Sequence, residues 1–231
     1  MSNEITIDNK YLVLADGKEN RKGEKKGVSS TVYKVEDMKT KEVYAAKVLK
    51  KEKYRYDFDN EIKMLNYLKE KGIKNIVNII DSGDGDYKEG GNIPSKKKYI
   101  ILEYEEKKDL TRYIDLMNKG FSELESDTHA QLLFLKILEA IKAIHKSGVC
   151  HRDIKTDNIL LDNKFNPKIC DFGFSTYIKN KKKKRCGTYP YVAPEVWITD
   201  KNAPQFAVSK IYISYFEKII YMKNFLRERK K

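Results

Sequence analysis

The sequence predicts an α+β chain of two lobes, a small antiparallel β-sheet lobe with one helix followed by a mainly helical lobe. Three observations carry that prediction. Short apolar runs separated by polar turns fill residues 1–100, one stretch among them has helical spacing, and beyond Asp109 the apolar period is that of longer helices.

Tyr11 to Leu14 reads as a strand, followed by a polar Gly- and Lys-rich stretch from Asp16 to Gly27. Thr31 to Glu36 and Glu42 to Leu49 read as two strands joined by a turn at residues 37–41. Phe58, Ile62, Leu65 and Leu68 recur at helical spacing, so an amphipathic helix is expected to end near Gly72. Ile73 to Ile80 and Tyr99 to Tyr104 read as further strands, and the Gly/Asp/Lys-rich residues 83–98 between them as a mobile loop. In the second lobe Leu110 to Met117 is helical. Asp127 is placed to cap a long helix through His145, with Leu133, Ile137, Ile141 and Ile144 on its buried face and Gly148 as its stop. Ile159 to Leu161 and Lys168 to Cys170 are short apolar segments between turns, and no internal repeat is found.

At 231 residues, 40% hydrophobic and 11% aromatic, the chain has enough apolar surface for a sizeable core, which excludes a disordered polypeptide. Its N-terminal residues lack the basic-then-apolar pattern of a secretory leader, and Lys210, Glu217 and Lys218 interrupt its most apolar late stretch, Phe206 to Met222. A soluble intracellular protein without a membrane span is expected, cytoplasmic or also nuclear. Cys150, Cys170 and Cys186 lack paired metal-ligand spacing and read as reduced thiols. The formal charge of +13 comes mostly from lysines scattered along the chain, which fits a solvated surface better than a specific nucleic-acid site. Composition leaves the oligomeric state open.

Four motifs stand in order. Tyr44-Ala45-Ala46-Lys47 puts a lysine near a strand end. His151-Arg152-Asp153-Ile154-Lys155-Thr156-Asp157-Asn158 concentrates two carboxylates, two cations and an amide. Asp171-Phe172-Gly173 begins thirteen residues after Asn158, and Ala193-Pro194-Glu195 comes later. Each is weak alone. Together, with the right elements between them, they resemble the eukaryotic protein kinases over residues 11–196. The resemblance implies a bilobal fold, with residues 11–104 as the sheet lobe, 105–196 as a partial helical lobe, and 197–231 as an atypical tail.

The resemblance also implies roles. Phosphoryl transfer passes through a loose transition state, so catalysis is positioning and charge neutralisation. Asp153 would orient the acceptor hydroxyl, and Lys155, two residues on, would contact the transferring phosphate and mark the serine/threonine branch. Thr188, in Cys186-Gly187-Thr188-Tyr189-Pro190-Tyr191, would contact both. Asn158 and Asp171 offer hard oxygens for Mg²⁺. Lys47 would hold the α- and β-phosphates of ATP, oriented by Glu61, fourteen residues on. Val32, Ala45 and Leu160 would sandwich the adenine ring, Glu103 to Glu105 would form the hinge at its edge, and Leu102 would be the gatekeeper. His151 takes a structural place beneath Phe172, with no proton transfer. Cys170 lines the back of the nucleotide pocket, where a packed thiol and an alkylatable one are both open readings. The expected function is transfer of the γ-phosphate of MgATP to Ser/Thr hydroxyls of a protein substrate. The alternative is a non-catalytic kinase-like scaffold that binds partners and nucleotide.

The sequence departs from the family pattern at three places. Where G-x-G-x-x-G-x-V is expected it reads Lys25-Lys26-Gly27-Val28-Ser29-Ser30-Thr31-Val32, so Gly27 alone remains to let backbone approach phosphate. Lys184 occupies the loop position that is phosphorylated in switchable relatives, which leaves Ser175, Thr176 or Tyr177 as candidates. After Glu195 no Asp-x-Trp pattern appears, and the helical lobe is expected to be truncated.

Overall fold

In the computed structural model, residues 4–14, 25–90, 92–106, 109–118, 127–180, 186–188 and 191 are described. The chain divides into two units, residues 1–69 with 77–104, and residues 70–76 with 105–231.

The first unit is built on alternation. Its strands are β1 (Ile5–Ile7), β2 (Tyr11–Val13), β3 (Lys25–Lys26), β4 (Ser30–Asp37), β5 (Val43–Leu49), β6 (Ile79–Glu89) and β7 (Ser95–Glu103), with helix α1 (Arg55–Glu70) between β5 and β6. All pairings are antiparallel, in the order β2-β1-β6-β7-β5-β4-β3. A further pairing of β2 with β4, Leu12 opposite Glu36, closes six of these strands into a ring. Where these pairings run, closure covers edges that would otherwise be free. Ile5, Ile7, Tyr11, Val35, Ala46, Val48, Tyr87, Tyr99 and Ile101 form the core. Because side chains alternate along a strand, Ala46 and Val48 enter that core while Ala45 and Lys47 face the other way.

The β1–β2 hairpin seals the ring with polar contacts. Asp8 and Asn9, central in the Ile7–Lys10 turn of the three-residue connection, have φ of 55° and 51°, the left-handed pair that a type I′ turn requires. Asp8 accepts a 2.9 Å hydrogen bond from the Tyr99 hydroxyl, and Asp81 accepts one of 2.8 Å from Tyr11. Burial and the neighbouring Asp81 carboxylate push the Tyr11 phenol up to about 12. Gly85 makes room for this arrangement, because a Cβ there would lie 2.6 Å from an Asp8 carboxylate oxygen.

The second unit carries α2 (Leu110–Asn118), α3 (Asp127–Lys146), β8 (Val149–Cys150), β9 (Ile159–Leu161), β10 (Pro167–Ile169) and β11 (Thr176–Tyr177). Leu133, Ile137, Ala140, Ile141 and Ile144 form the buried stripe of α3, at the spacing the sequence predicts. Gly148 stops the helix with φ +82°, its N–H bonded to the His145 carbonyl. β9 pairs with β10 and β8 with β11, both antiparallel. Residues 70–76 join this unit through a parallel bridge of Ile76 to Ile169 and a bond from the Ile169 N–H to the Asn75 carbonyl.

The structure corrects the sequence reading in several places. Residues 83–98, expected as a mobile loop, are mostly a β-hairpin in which Asp84 faces Lys98 and Asp86 faces Lys96. Cross-strand charge pairing makes so polar a segment a stable strand pair. The strand expected at residues 73–80 begins only at Ile79. β1 was not expected at all: three residues are too few to display a period. The Asp127 side chain, Lys184, Glu195 and the tail at residues 197–231 lie outside the described residues.

Candidate functional site

The two faces of β5 meet different demands. On its outer face the Lys47 ammonium donates a 2.5 Å bond to Glu61 Oε2, with both side chains buried. Glu61 lies on the inward stripe of α1 with Phe58, Met64, Leu65 and Leu68, which explains how a carboxylate reaches so deep. A buried pair like this is costly to desolvate but strongly destabilising to break from one side, so it fixes helix to strand.

The candidate adenine wall shares the face of Lys47. Val32 lies opposite Lys47 across β4–β5, and Ala45 opposite Leu102 across β5–β7. Glu103 accepts the Asn78 N–H on Oε1 at 2.8 Å, while its own N–H donates to the Asn78 carbonyl. Gly27 is exposed at the β3–β4 turn, its N–H bonded to the Ser30 carbonyl and its own carbonyl accepting from Lys50 Nζ at 2.9 Å. In the second unit, Leu160 is half-buried in β9 and Glu105 is half-buried just after residue 104.

The second unit gathers most of the other candidates between β8 and β11. Asp153 is 5% exposed and both its oxygens are engaged. Oδ1 accepts the Thr188 hydroxyl at 2.7 Å; Oδ2 meets Lys155 Nζ at 3.1 Å and Asn158 Nδ2 at 3.1 Å. Lys155 also donates to Thr188 Oγ1 at 2.9 Å. The Thr188 hydroxyl therefore gives its proton to the carboxylate while accepting one from the ammonium. Asn158 Nδ2 also donates to the Asp153 carbonyl at 2.8 Å, which turns its amide oxygen to the other side.

Side chains bonded to backbone hold these loops in place. The Asp153 N–H donates to His151 Nδ1 at 3.2 Å, so that nitrogen is the acceptor. The His151 proton then sits on Nε2 and is donated to the Cys170 carbonyl at 3.0 Å. Burial holds His151 well below the usual imidazole range, which favours this neutral form. Its ring meets Phe172 edge-on at 4.7 Å, the place beneath Phe172 that the resemblance implies. Arg152 (φ 69°) and Asp171 (φ 64°) occupy left-handed backbone. Arg152 Nε donates to the Phe174 carbonyl at 2.6 Å. No sequence signal marks either strained position.

Of the loop hydroxyls named as modification candidates, Ser175 and Thr176 are buried. Ser175 Oγ donates to the His151 carbonyl, and Thr176 pairs with Cys150 in β8–β11. Neither is presented for modification in this conformation. Burial raises the Cys150 thiol above its ordinary range.

Asn158 and Asp171 supply an amide oxygen and a carboxylate, a donor set that fits Mg²⁺, which commonly takes one or two protein oxygens and completes its shell with phosphate and water. Among the described residues no cluster of three or more His, Cys, Asp or Glu forms a metal site. No helix among them is long and apolar enough to cross a membrane.

Comparison with known proteins places the chain in a family. A family model described as the protein kinase domain matches residues 24–209. Sperm motility kinase 2B of Mus musculus is 42% identical over 106 residues, 45% of this chain and 21% of that protein. Mitogen-activated protein kinase KSS1 of Saccharomyces cerevisiae is 34% identical over 149 residues, 60% of this chain and 38% of its own length. Cyclin-dependent kinase G-1 of Oryza sativa subsp. indica is 32% identical over 184 residues, 76% of this chain and 24% of that protein. The chain thus spans from about a fifth to about two fifths of the length of these relatives.

Proposed function

The chain belongs to the protein kinase domain family, and we propose that it transfers the γ-phosphate of MgATP to serine and threonine hydroxyls of protein substrates. The observation that carries the proposal is the Asp153 carboxylate set between the Thr188 hydroxyl and the Lys155 ammonium. A hydroxyl held as Thr188 is held is hydrogen-bonded to a carboxylate and neighboured by a cation, which is what an acceptor oxygen needs as it takes on a phosphoryl group.

Each residue then has a task. Asp153 accepts the hydrogen bond of the substrate hydroxyl and orients its oxygen lone pair. Lys155 offsets negative charge on the oxygens in flight. Lys47, oriented by Glu61, neutralises phosphate; Val32, Ala45 and Leu102 of the first unit offer apolar surface for a purine, and so, in the second unit, does Leu160. Asn158 and Asp171 would hold Mg²⁺, which when bound neutralises charge on the phosphates. A proton held on His151 Nε2 by the Cys170 carbonyl keeps that ring out of proton transfer and makes it a brace.

One observation favours the scaffold reading. The β3–β4 turn carries lysines and serines where glycines would let a nucleotide approach the backbone closely. The two readings part on an assay with labelled MgATP and peptides that differ only in a Ser, Thr or Tyr acceptor. Transfer to the Ser and Thr peptides, with little to Tyr, is the expected result. Folded protein that binds MgATP and transfers to none of them establishes the scaffold.

A further inference from the structure

Helix α1 carries Glu61, and its apolar stripe sets which way it faces. The stripe leaves open what stops the helix from sliding or swinging away from β5. The answer lies at the N-terminal end of α1, where four charges join helix to hairpin. Arg55 Nη2 lies 2.8 Å from Asp84 Oδ1. Lys98 Nζ lies 2.6 Å from Asp59 Oδ1 and 3.5 Å from Asp84 Oδ2. Arg55 and Asp59 are four apart and so share a helix face, while Asp84 and Lys98 are cross-strand partners of β6 and β7. The signs alternate, so each charge has a neighbour of opposite sign. Glu52 adds a 3.1 Å contact to Arg55 from just before the helix.

Isolated exposed ion pairs contribute little, but shared charges in a network contribute more. Lys98 is the anchor, its side chain 13% exposed and bonded to both helix and hairpin. Two residues along β7, Ile100 lies directly opposite Lys47 in β5. The network therefore ties the start of α1 to the strand that also sets the position of Lys47, and Glu61 hangs between the two attachments.

We propose that Arg55, Asp59, Asp84 and Lys98 are positioning residues for the Lys47–Glu61 pair, keeping α1 engaged without a partner protein and making phosphoryl transfer sensitive to ionic strength. This rests on the kinase reading given above. The Asp86–Lys96 pair nearer the hairpin tip, 2.9 Å apart and with its lysine more exposed than Lys98, supplies the control.

The test measures phosphoryl transfer and amide hydrogen exchange in wild type, Lys98→Met, Lys98→Arg, Asp84→Asn and the control Asp86→Asn. Lys98→Met and Asp84→Asn are expected to lower kcat about three- to tenfold, with faster exchange through the first turns of α1 and a flatter salt dependence. Lys98→Arg should keep near-wild-type behaviour, and Asp86→Asn should change neither readout. Unchanged α1 exchange in folded Lys98→Met overturns the proposal, as does an equal loss in Asp86→Asn, which would mark general hairpin weakening. If wild type transfers no phosphate, the kinase reading fails separately, and α1 exchange alone decides whether the network holds the helix.

Discussion

The candidate residues of the two units are held in opposite ways. Lys47 and Glu61 sit on a strand and a helix whose geometry is regular, and what brings them together is the packing of a closed sheet and an amphipathic stripe. Asp153, Lys155 and Thr188 sit on short loops and Asn158 on a single 3-10 turn, where side chains bonded to backbone and two left-handed residues take over the work of longer regular structure. A charge on a regular element is thus fixed by many small contacts, and a charge in a loop by a few specific ones. The first kind of site should fail through stability as well as activity, and the second through activity alone.

That contrast can be broken or sharpened by substitution. The largest effect is expected for Asp153→Asn, which keeps shape but removes the carboxylate; transfer should fall by about 10²–10⁴-fold, the usual worth of a positioned base, with the unfolding midpoint little changed. Glu61→Ala comes next, because it removes the Glu61 carboxylate from the buried Lys47 ammonium. A loss of about 3 kcal/mol in urea unfolding is expected. A stability change in Asp153→Asn as large as that in Glu61→Ala would erase the distinction.

Gly85→Ala probes the barrel far from the chemistry. Its methyl would press on Asp8, so a loss of about 1–3 kcal/mol is expected, with kcat unaffected in the folded fraction. Smallest is a pH effect at His145, whose imidazole burial holds below the ordinary value of 6.5. The unfolded chain takes up its proton near that value while the folded one resists. Stability from this group is therefore present above pH 6.5 and lost as pH falls through the lower folded value. Comparing acid-side unfolding midpoints of wild type and His145→Gln should show a shallower fall in the variant.

How much was legible in the sequence follows the same division. The α1 stripe, the α3 stripe and the Gly148 stop were readable because a helical period and its stop signal determine them, and the pairing of Lys47 with Glu61 because the resemblance to the kinases implied it. Ring closure was not, since β1 is three residues long and its role depends on pairing with β6, some eighty residues away. The 83–98 hairpin was misread because glycine and charge, taken one residue at a time, signal a loop; only the opposed register of Asp84 with Lys98 shows why it is sheet. In the loops the motifs named the residues, but the left-handed backbone of Arg152 and Asp171 and the Nε2–H form of His151 come from tertiary bonds that leave no trace in spacing.

We propose that the Lys47–Glu61 pair and the Asp153 cluster are both required for phosphoryl transfer. Single-turnover transfer from labelled MgATP in wild type, Lys47→Met, Asp153→Asn and the double variant tests it most directly. Residues that act as a unit are strongly non-additive, so each single variant should lose nearly all transfer and the double should be scarcely worse than either. Transfer that persists in folded Asp153→Asn at the wild-type rate would contradict the account.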